Sequence, residues 1–160
     1  MARYRKGDLS GKRSFHTIMK SFEAFLETGE IKRIEPDIEL AKLMLFDAKA
    51  RLEIAAELEL NEKNSRVIFE LVNDSIIKLL EVILLADGYK SSSYESTLSY
   101  LNKFPEFSDV EILELEKFRR ISHQSRYHGK PAALQDALEI RRVFPKTKEK
   151  LIKQIKIRLL

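Results

Sequence analysis

The amino-acid sequence predicts an all-α protein, and three observations support this fold class. Apolar residues at helical spacing, with capping residues at the ends, recur at five places after Pro36. No segment alternates apolar and polar residues for long enough to predict a strand. The chain has only five Gly and four Pro in 160 residues, too few for a linker-rich or collagen-like protein. We therefore expect a helical fraction well above the roughly one-third of globular domains, and no sheet of three or more strands.

Residues 1–36 are predicted to form a basic arm followed by a short helical extension. Residues 1–13 carry five Lys or Arg against Asp8. Residues 14–28 then place apolar side chains on one side of a short helix, and Gly29 is a typical helix stop. These apolar residues are Phe15, Ile18, Met19, Phe22, Phe25 and Leu26.

Residues 37–160 are predicted to form the main helical domain. One helix is predicted from Pro36 to about Leu58. A second is apolar over most of its circumference from Val67 to Leu84, which predicts that it is the most buried, and Asp87-Gly88 is expected to end it. Two capping boxes predict the starts of helices over about 93–103 and 109–128. The boxes are Ser92 with Glu95 and Ser108 with Glu111. Pro145 is expected to separate a helix over about 131–143 from a last helix over about 146–159.

The net charge of +4 is unevenly distributed. Residues 1–13 have a net charge of +4 and residues 141–160 a net charge of +7, whereas residues 14–140 have a net charge of −7. Basic ends on an acidic body indicate contact with a polyanion or an acidic partner. The alternative is an ordinary solvated surface of a Lys- and Glu-rich protein.

Several classes of protein and site are excluded by composition. The chain has no Cys, so it can form neither disulfides nor thiolate metal sites, which fits a cytoplasmic protein. The most apolar stretch is interrupted by four charged residues, so no membrane span is expected, and the N-terminus lacks the apolar core of a secretory signal. No phosphate loop or His-Glu-x-x-His motif is present, and no metal or other cofactor is expected.

The most informative segment is the basic helix around residues 118–129. At about 100° per residue, five side chains share an arc of about 120°. They are Arg119, Arg120, His123, Arg126 and Tyr127. Phe118, Ile121, Ser122 and Ser125 lie on the opposite side, where they would pack on a neighbouring helix. The spacing therefore predicts one face that packs in the core and one cationic face that could bind phosphate. The alternative is that the cationic face is simply solvated, or that it contacts the carboxylates of a partner protein.

His123 on this face, and His128 at the end of the helix, are the candidates for proton transfer. Metal-free RNA cleavage needs at least one group that activates the ribose 2′-hydroxyl, another that protonates the leaving oxygen, and a cation such as Arg that stabilises the phosphorane. An imidazole can give or take a proton near neutral pH. His128 falls at about 180°, off the arc, unless Gly129 unwinds the helix end. Its alternative role is a C-terminal cap. His16 has no ligand-type neighbour at useful spacing and is expected to be structural or exposed.

The sequence resembles the HEPN superfamily over roughly residues 37–160. The resemblance rests on four features in order. The first two are a helix with Ala50-Arg51-Leu52-Glu53-Ile54-Ala55 and a segment from Phe69-Glu70-Leu71-Val72-Asn73-Asp74-Ser75-Ile76 to Asp87-Gly88-Tyr89-Lys90. The last two are Ser93-Tyr94-Glu95, which opens a short helix, and an Arg-rich helix that ends with Arg126-Tyr127-His128-Gly129-Lys130. The resemblance implies an up-and-down bundle of four to five core helices, usually dimeric, and we expect a homodimer with the 109–128 helix near the two-fold axis. It also implies either a metal-independent ribonuclease, often a toxin neutralised by a nucleotidyltransferase partner, or a module that binds nucleotide or RNA.

The active motif of that family is Arg, four to six residues, then His, and this sequence departs from it. Six residues separate Arg120 from Tyr127, so Tyr127 occupies the His position, whereas seven separate Arg120 from His128. Arg120, His128 and Tyr127 are the candidate catalytic residues, and Arg119, Arg120, His123 and Arg126 are the candidate phosphate-binding residues. We expect a binding module for nucleotide, RNA or a nucleotidyltransferase partner. The alternatives are a toxin-type ribonuclease and a helical assembly protein without catalysis.

Overall fold

The computed structural model describes residues 19–160, and these contain six α-helices and one pair of short strands. Helices, including one 3-10 segment at Tyr100–Lys103, hold 74% of these residues. The α-helices are α1 (Phe22–Thr28), α2 (Ile38–Glu57), α3 (Ser65–Asp87), α4 (Tyr94–Ser99), α5 (Asp109–Tyr127) and α6 (Leu134–Leu159). The strands are β1 (Ile31–Arg33) and β2 (Tyr89–Ser91). The predicted all-α class is confirmed, and so is the absence of a larger sheet within the described residues. The predicted basic arm and His16 lie outside these residues.

Helix α3 is the centre of the molecule, as its apolar circumference predicts. Fourteen of its 23 residues are buried, and α2 and α6 pack along it. Its last turn ends at Gly88, whose φ of 87° is left-handed and whose N–H donates to the carbonyls of Leu84 and Leu85. Arg141 of α6 then donates to the carbonyls of Ala55 and Leu58, 2.6 and 2.8 Å away, at the end of α2. The free carbonyls of that helix end are thus satisfied by a neighbouring helix.

The strands pair antiparallel, with Ile31 opposite Ser91 and Arg33 opposite Tyr89. This pairing joins the segment after α1 to the segment after α3. Nothing local in either segment predicts it, because three residues are too few to show a period of two. Within the described residues, the helix predicted over 14–28 begins at Phe22, since Ser21 has an extended backbone and caps α1 by accepting from the Ala24 N–H at 3.1 Å, whereas residues 14–18 lie outside the described part of the chain. The predicted stop at Gly29 is confirmed by its left-handed φ of 81°.

The capping box predicted at Ser92 and Glu95 is wrong by one residue. Ser93 caps α4 instead, and Ser96 completes the box. Ser92 does not cap the helix, because its N–H and its hydroxyl both donate to the carbonyl of Glu30, at 2.9 and 3.1 Å. The strand pairing therefore moves the start of α4. The helix predicted over about 93–103 is α-helical only to Ser99 and continues as the 3-10 segment.

The predicted break at Pro145 is also wrong, because α6 is a single helix of 26 residues that contains Pro145. Buried side chains lie on both sides of the proline, on the face that packs against α3. They are Ala137, Ile140, Thr147, Leu151 and Ile155. A proline inside a helix removes one hydrogen bond and costs about 3 kcal/mol relative to alanine. Burying a continuous stripe of this length outweighs that cost.

Pro145→Ala is expected to stabilise the protein. The substitution restores an N–H that can donate to the carbonyl of Arg141, and Pro145 is exposed, so no core packing is lost. Part of the gain is offset by the greater freedom of alanine in the unfolded chain. We expect the free energy of unfolding to rise by about 1–2 kcal/mol in denaturant titrations. Lys153→Ala, at an exposed site of the same helix, should change it little, and a loss of stability in Pro145→Ala would contradict this account.

Candidate functional site in a pocket between α4 and α5

Helix α5 is fixed at its start by a capping box and along its length by the core. The Ser108 N–H donates to the Glu111 carboxylate at 3.0 Å, and the Glu111 N–H donates to Ser108 Oγ at 3.2 Å, as predicted. Phe118 is fully buried and meets the ring of Phe69 edge-on, with 6.0 Å between centroids. Ser122 is buried on the same side. The opposite face of α5 is thereby held toward solvent.

That outer face forms one wall of a pocket of about 450 Å³. Four of the predicted site residues line it, namely Arg119, His123, Arg126 and Tyr127. The other wall is the start of α4, with Ser92, Ser93, Tyr94 and Glu95. Arg120 is outside the pocket, although it lies on the same side of the helix.

The first arginine of the pocket is held by a buried acid that the sequence analysis did not single out. Arg119 makes a two-pronged ion pair with Glu116, at 2.8 Å from Nε and 2.7 Å from Nη2. Arg120 Nε donates to the same carboxylate at 3.1 Å. Glu116 is only 3% exposed. These hydrogen bonds raise the pKa of Arg119 above its ordinary value, against the lowering effect of burial.

The second arginine of the pocket is held by two acids of α3. Arg126 Nη2 donates to Glu70 at 2.9 Å and to Asp74 at 2.6 Å, and its guanidinium lies 5.5 Å from the centroid of the Tyr94 ring. The Tyr94 hydroxyl donates to Asp74 at 3.1 Å. Burial lowers the pKa of Arg126, but the hydrogen bond with Glu70 and the charge of Asp74 outweigh it and raise the pKa overall. This arrangement joins α3, α4 and α5.

The face is therefore charge-balanced, which differs from the cationic arc expected from the sequence. Three arginines are matched by three carboxylates, and Glu95 adds a further acid to the pocket wall. Glu116 could have been found in the sequence, since it precedes Arg119 and Arg120 by three and four residues. Glu70 and Asp74 could not, because they are more than fifty residues from Arg126. Arg119 Nη1 still makes no hydrogen bond with any residue of 19–160.

An aromatic cluster lies at the carboxyl-terminal end of α5, beside the pocket. The rings of His123 and Tyr127 are 4.8 Å apart, and those of His123 and His128 are 5.5 Å apart. Tyr127 is 72% exposed. His128 is thus beside the arc and not opposite it, because its φ of −123° and ψ of 9° leave the helical conformation before Gly129. The unwinding considered from the sequence brings both imidazoles together.

A polar seam between α3 and α5 lies next to these residues. Ser122 Oγ donates to Glu70 at 2.9 Å. Three buried atoms near it, Glu70 Oε1, Asn73 Nδ2 and Ser125 Oγ, have no hydrogen-bond partner among the described residues. Buried polar groups without a partner each cost about 1–3 kcal/mol. The seam beside the pocket is therefore less stabilising than an apolar contact of the same size.

Within residues 19–160, no group of three or more His, Asp or Glu is arranged to hold a metal ion, and no helix has the length and apolar character that crossing a membrane requires. A scan against protein-family models, a search of curated proteins and a search of solved structures each found no match to this chain. The resemblance to the HEPN superfamily accordingly remains an expectation that rests on the residues quoted for it.

Proposed function

We propose that the pocket between α4 and α5 binds a nucleotide or a short single-stranded RNA. The observation that carries this proposal is the convergence of Arg119, Arg126, His123 and Tyr127 on one pocket of about 450 Å³. A nucleotide needs a cationic donor for phosphate and an aromatic surface for the base, and this pocket offers both. Its volume is within the range of ordinary small-ligand sites.

The phosphate is placed at Arg119, whose planar fork is oriented by Glu116 while Nη1 stays available. The base is placed on Tyr127, whose side chain is 72% exposed, with His123 beside it. Because the arginines are already paired with carboxylates, long-range attraction of phosphate is weak. Stacking then contributes a larger share of the affinity than it would on an uncompensated basic surface.

Tyr127→Ala is expected to weaken binding of a labelled short RNA by about fivefold to 150-fold, because stacking of one base on an aromatic ring contributes about 1–3 kcal/mol. Fluorescence anisotropy would measure the dissociation constant, with 5′-AMP as the competing mononucleotide. Val110→Ala is the matched control, since Val110 is 74% exposed on the same helix outside the pocket. Equal affinity of wild type and Tyr127→Ala would refute this placement of the base.

Metal-independent cleavage of RNA is the second candidate, and the 5.5 Å separation of the His123 and His128 rings is the observation that favours it. One imidazole could take the proton of a ribose 2′-hydroxyl while the other protonates the leaving oxygen. Incubating RNA with the protein in EDTA tests this reaction. Cleavage that disappears in both His123→Ala and His128→Ala would establish it, and intact RNA would leave binding as the function.

A further inference from the structure

Helix α6 carries eight basic residues from Arg141 onward, and five of them have partners among the described residues. Arg141 donates to the carbonyls at the end of α2. The other four of these five pair with acids of α3 and α5, and they are Arg142, Lys146, Lys150 and Arg158. The side chains of the remaining three lysines make no hydrogen bond or ion pair with any residue of 19–160. These unpaired lysines are Lys148, Lys153 and Lys156.

The three unpaired lysines lie on the solvent side of α6. At about 100° and 1.5 Å per residue, they share an arc of about 140° and span about 12 Å of the helix. Together with Pro145, Glu149 and Ile152 they line a shallow groove of about 500 Å³, which we call the α6 face. Lys153 and Lys156 are exposed, and Lys148 is half-buried. The α6 face therefore carries three positive charges against one carboxylate, whereas the pocket between α4 and α5 is charge-balanced.

The rest of the chain does little to neutralise the α6 face. Glu111 of α5 is shared by Lys146 and Lys150, at 3.5 and 2.7 Å, and both of these lie outside the face. Glu149 makes no ion pair with any described residue. Residues 1–18 add five Lys or Arg against one Asp, so their charge opposes contact with this face. The positive charge is therefore available to a partner that carries many negative charges.

We propose that the α6 face binds the phosphate backbone of a double-stranded nucleic acid. Lysine side chains that neutralise phosphates release counter-ions from the nucleic acid, and this release drives binding without regard to sequence. The face spans about 12 Å, a length over which one strand of a duplex carries about three to four phosphates. No aromatic side chain lines the face, so it offers no ring on which an unpaired base could stack. A duplex, whose bases are already paired, loses nothing by that absence.

Two other partners fit the α6 face less well. The buried centre of a protein–protein interface is poor in lysine and rich in aromatic side chains, which is the opposite of this composition. A helix that lies on an anionic membrane keeps its apolar side chains on a face of their own. The end of α6 instead alternates them with lysines around the helix. In angular order these residues are Ile152, Lys156, Leu160, Lys153 and Ile157.

Fluorescence anisotropy of the full chain with a labelled blunt-ended RNA duplex tests the proposal. Two to three phosphate contacts predict that affinity falls about tenfold to fortyfold between about 50 and 200 mM salt. Replacing all three unpaired lysines by alanine should weaken duplex binding about tenfold at the lower salt concentration and remove most of the salt dependence. The matched control replaces three exposed lysines elsewhere on the protein, namely Lys32→Ala, Lys49→Ala and Lys63→Ala. Equal losses in the two triple variants, or no duplex binding by the wild type, would overturn the proposal.

Glu149→Gln should change the affinity in the opposite direction. It removes the one carboxylate of the α6 face, and Glu149 is exposed, so the fold loses no contact. We expect the duplex to bind about threefold more tightly at low salt. Glu53→Gln makes the same change of charge at an exposed site of α2 and should leave the affinity unaltered. An affinity that does not rise in Glu149→Gln, or that rises equally in Glu53→Gln, would contradict binding at the α6 face.

The inference stands apart from nucleotide binding, because the α6 face and the pocket between α4 and α5 have no residue in common. Tyr127→Ala should leave duplex binding unchanged, and the triple lysine variant should bind 5′-AMP like the wild type. Loss of duplex binding in Tyr127→Ala would place the duplex at the pocket and overturn the inference. Co-sedimentation with phosphatidylserine-containing vesicles tests the membrane as the partner. Vesicle binding that the triple variant loses, in a protein that does not bind the duplex, would assign the α6 face to a membrane instead.

Discussion

Glu116→Gln is expected to destabilise the fold while tightening the binding of phosphate-bearing ligands. Glu116 is buried and holds Arg119 by two hydrogen bonds and Arg120 by one. Glutamine keeps the shape but removes one negative charge, so the half-buried guanidinium of Arg119 loses its counter-ion. We expect the free energy of unfolding to fall by about 2 kcal/mol. The same loss leaves the pocket one unit more positive, and we expect nucleotide affinity to rise about tenfold.

Denaturant titration and anisotropy on the same samples measure the two effects. Glu114→Gln is the matched control, because Glu114 lies on the same helix and pairs with Arg142 at 3.4 Å, away from the pocket. It should change neither quantity much. If Glu116→Gln lowers stability without raising affinity, the phosphate is not bound at Arg119. If the free energy of unfolding does not fall, the buried ion pair contributes nothing to the fold.

Gly88→Ala is expected to be far more destabilising than Gly29→Ala, although both glycines end a helix with a left-handed φ. A Cβ at position 29 would meet no atom within 4 Å, so only the backbone conformation is penalised. A Cβ at position 88 would lie 2.9 Å from the carbonyl oxygen of Ile34. That backbone cannot move away easily, since the Ile34 N–H donates to the Gly88 carbonyl at 2.9 Å.

We therefore expect a loss of about 1 kcal/mol for Gly29→Ala and about 2–4 kcal/mol for Gly88→Ala. Thermal and denaturant unfolding of the two variants, followed by circular dichroism, would measure the difference. Similar losses in both variants would show that the contact between the end of α3 and the segment after β1 is loose. The comparison uses the same substitution at the same type of helix end, so the difference isolates the tertiary contact.

The charge balance of the pocket affects how strongly RNA affinity should depend on salt. A phosphate that binds at Arg119 has to share the guanidinium with Glu116 and does not meet an unpaired cation. Few counter-ions are then released from the RNA, so the affinity should depend only weakly on salt. Specificity is accordingly expected from the base on Tyr127 and from the polar wall formed by Ser92 and Glu95.

The sequence by itself determined the features that depend on neighbours within one or two helical turns. The capping box of Ser108 with Glu111, the stops at Gly29 and Gly88, and the burial of α3 all follow from spacing along the chain. The two-sided character of α5 follows for the same reason. Four of the predicted site residues line one pocket because a regular helix places them on one side.

Only the tertiary structure decided the features that depend on distant partners. Helix α6 continues through Pro145 because the apolar surface it buries against α3 outweighs the local cost of a proline inside a helix. The sequence shows the proline and its cost, whereas the burial that compensates for it appears only in the fold. The strand pairing that displaces the cap from Ser92 joins residues about sixty positions apart. The charge of the pocket was decided in the same way, since Glu70 and Asp74 reach Arg126 from another helix. Local preferences are fixed by the covalent chain, whereas charge compensation and burial depend on which side chains the completed fold brings within a few ångströms.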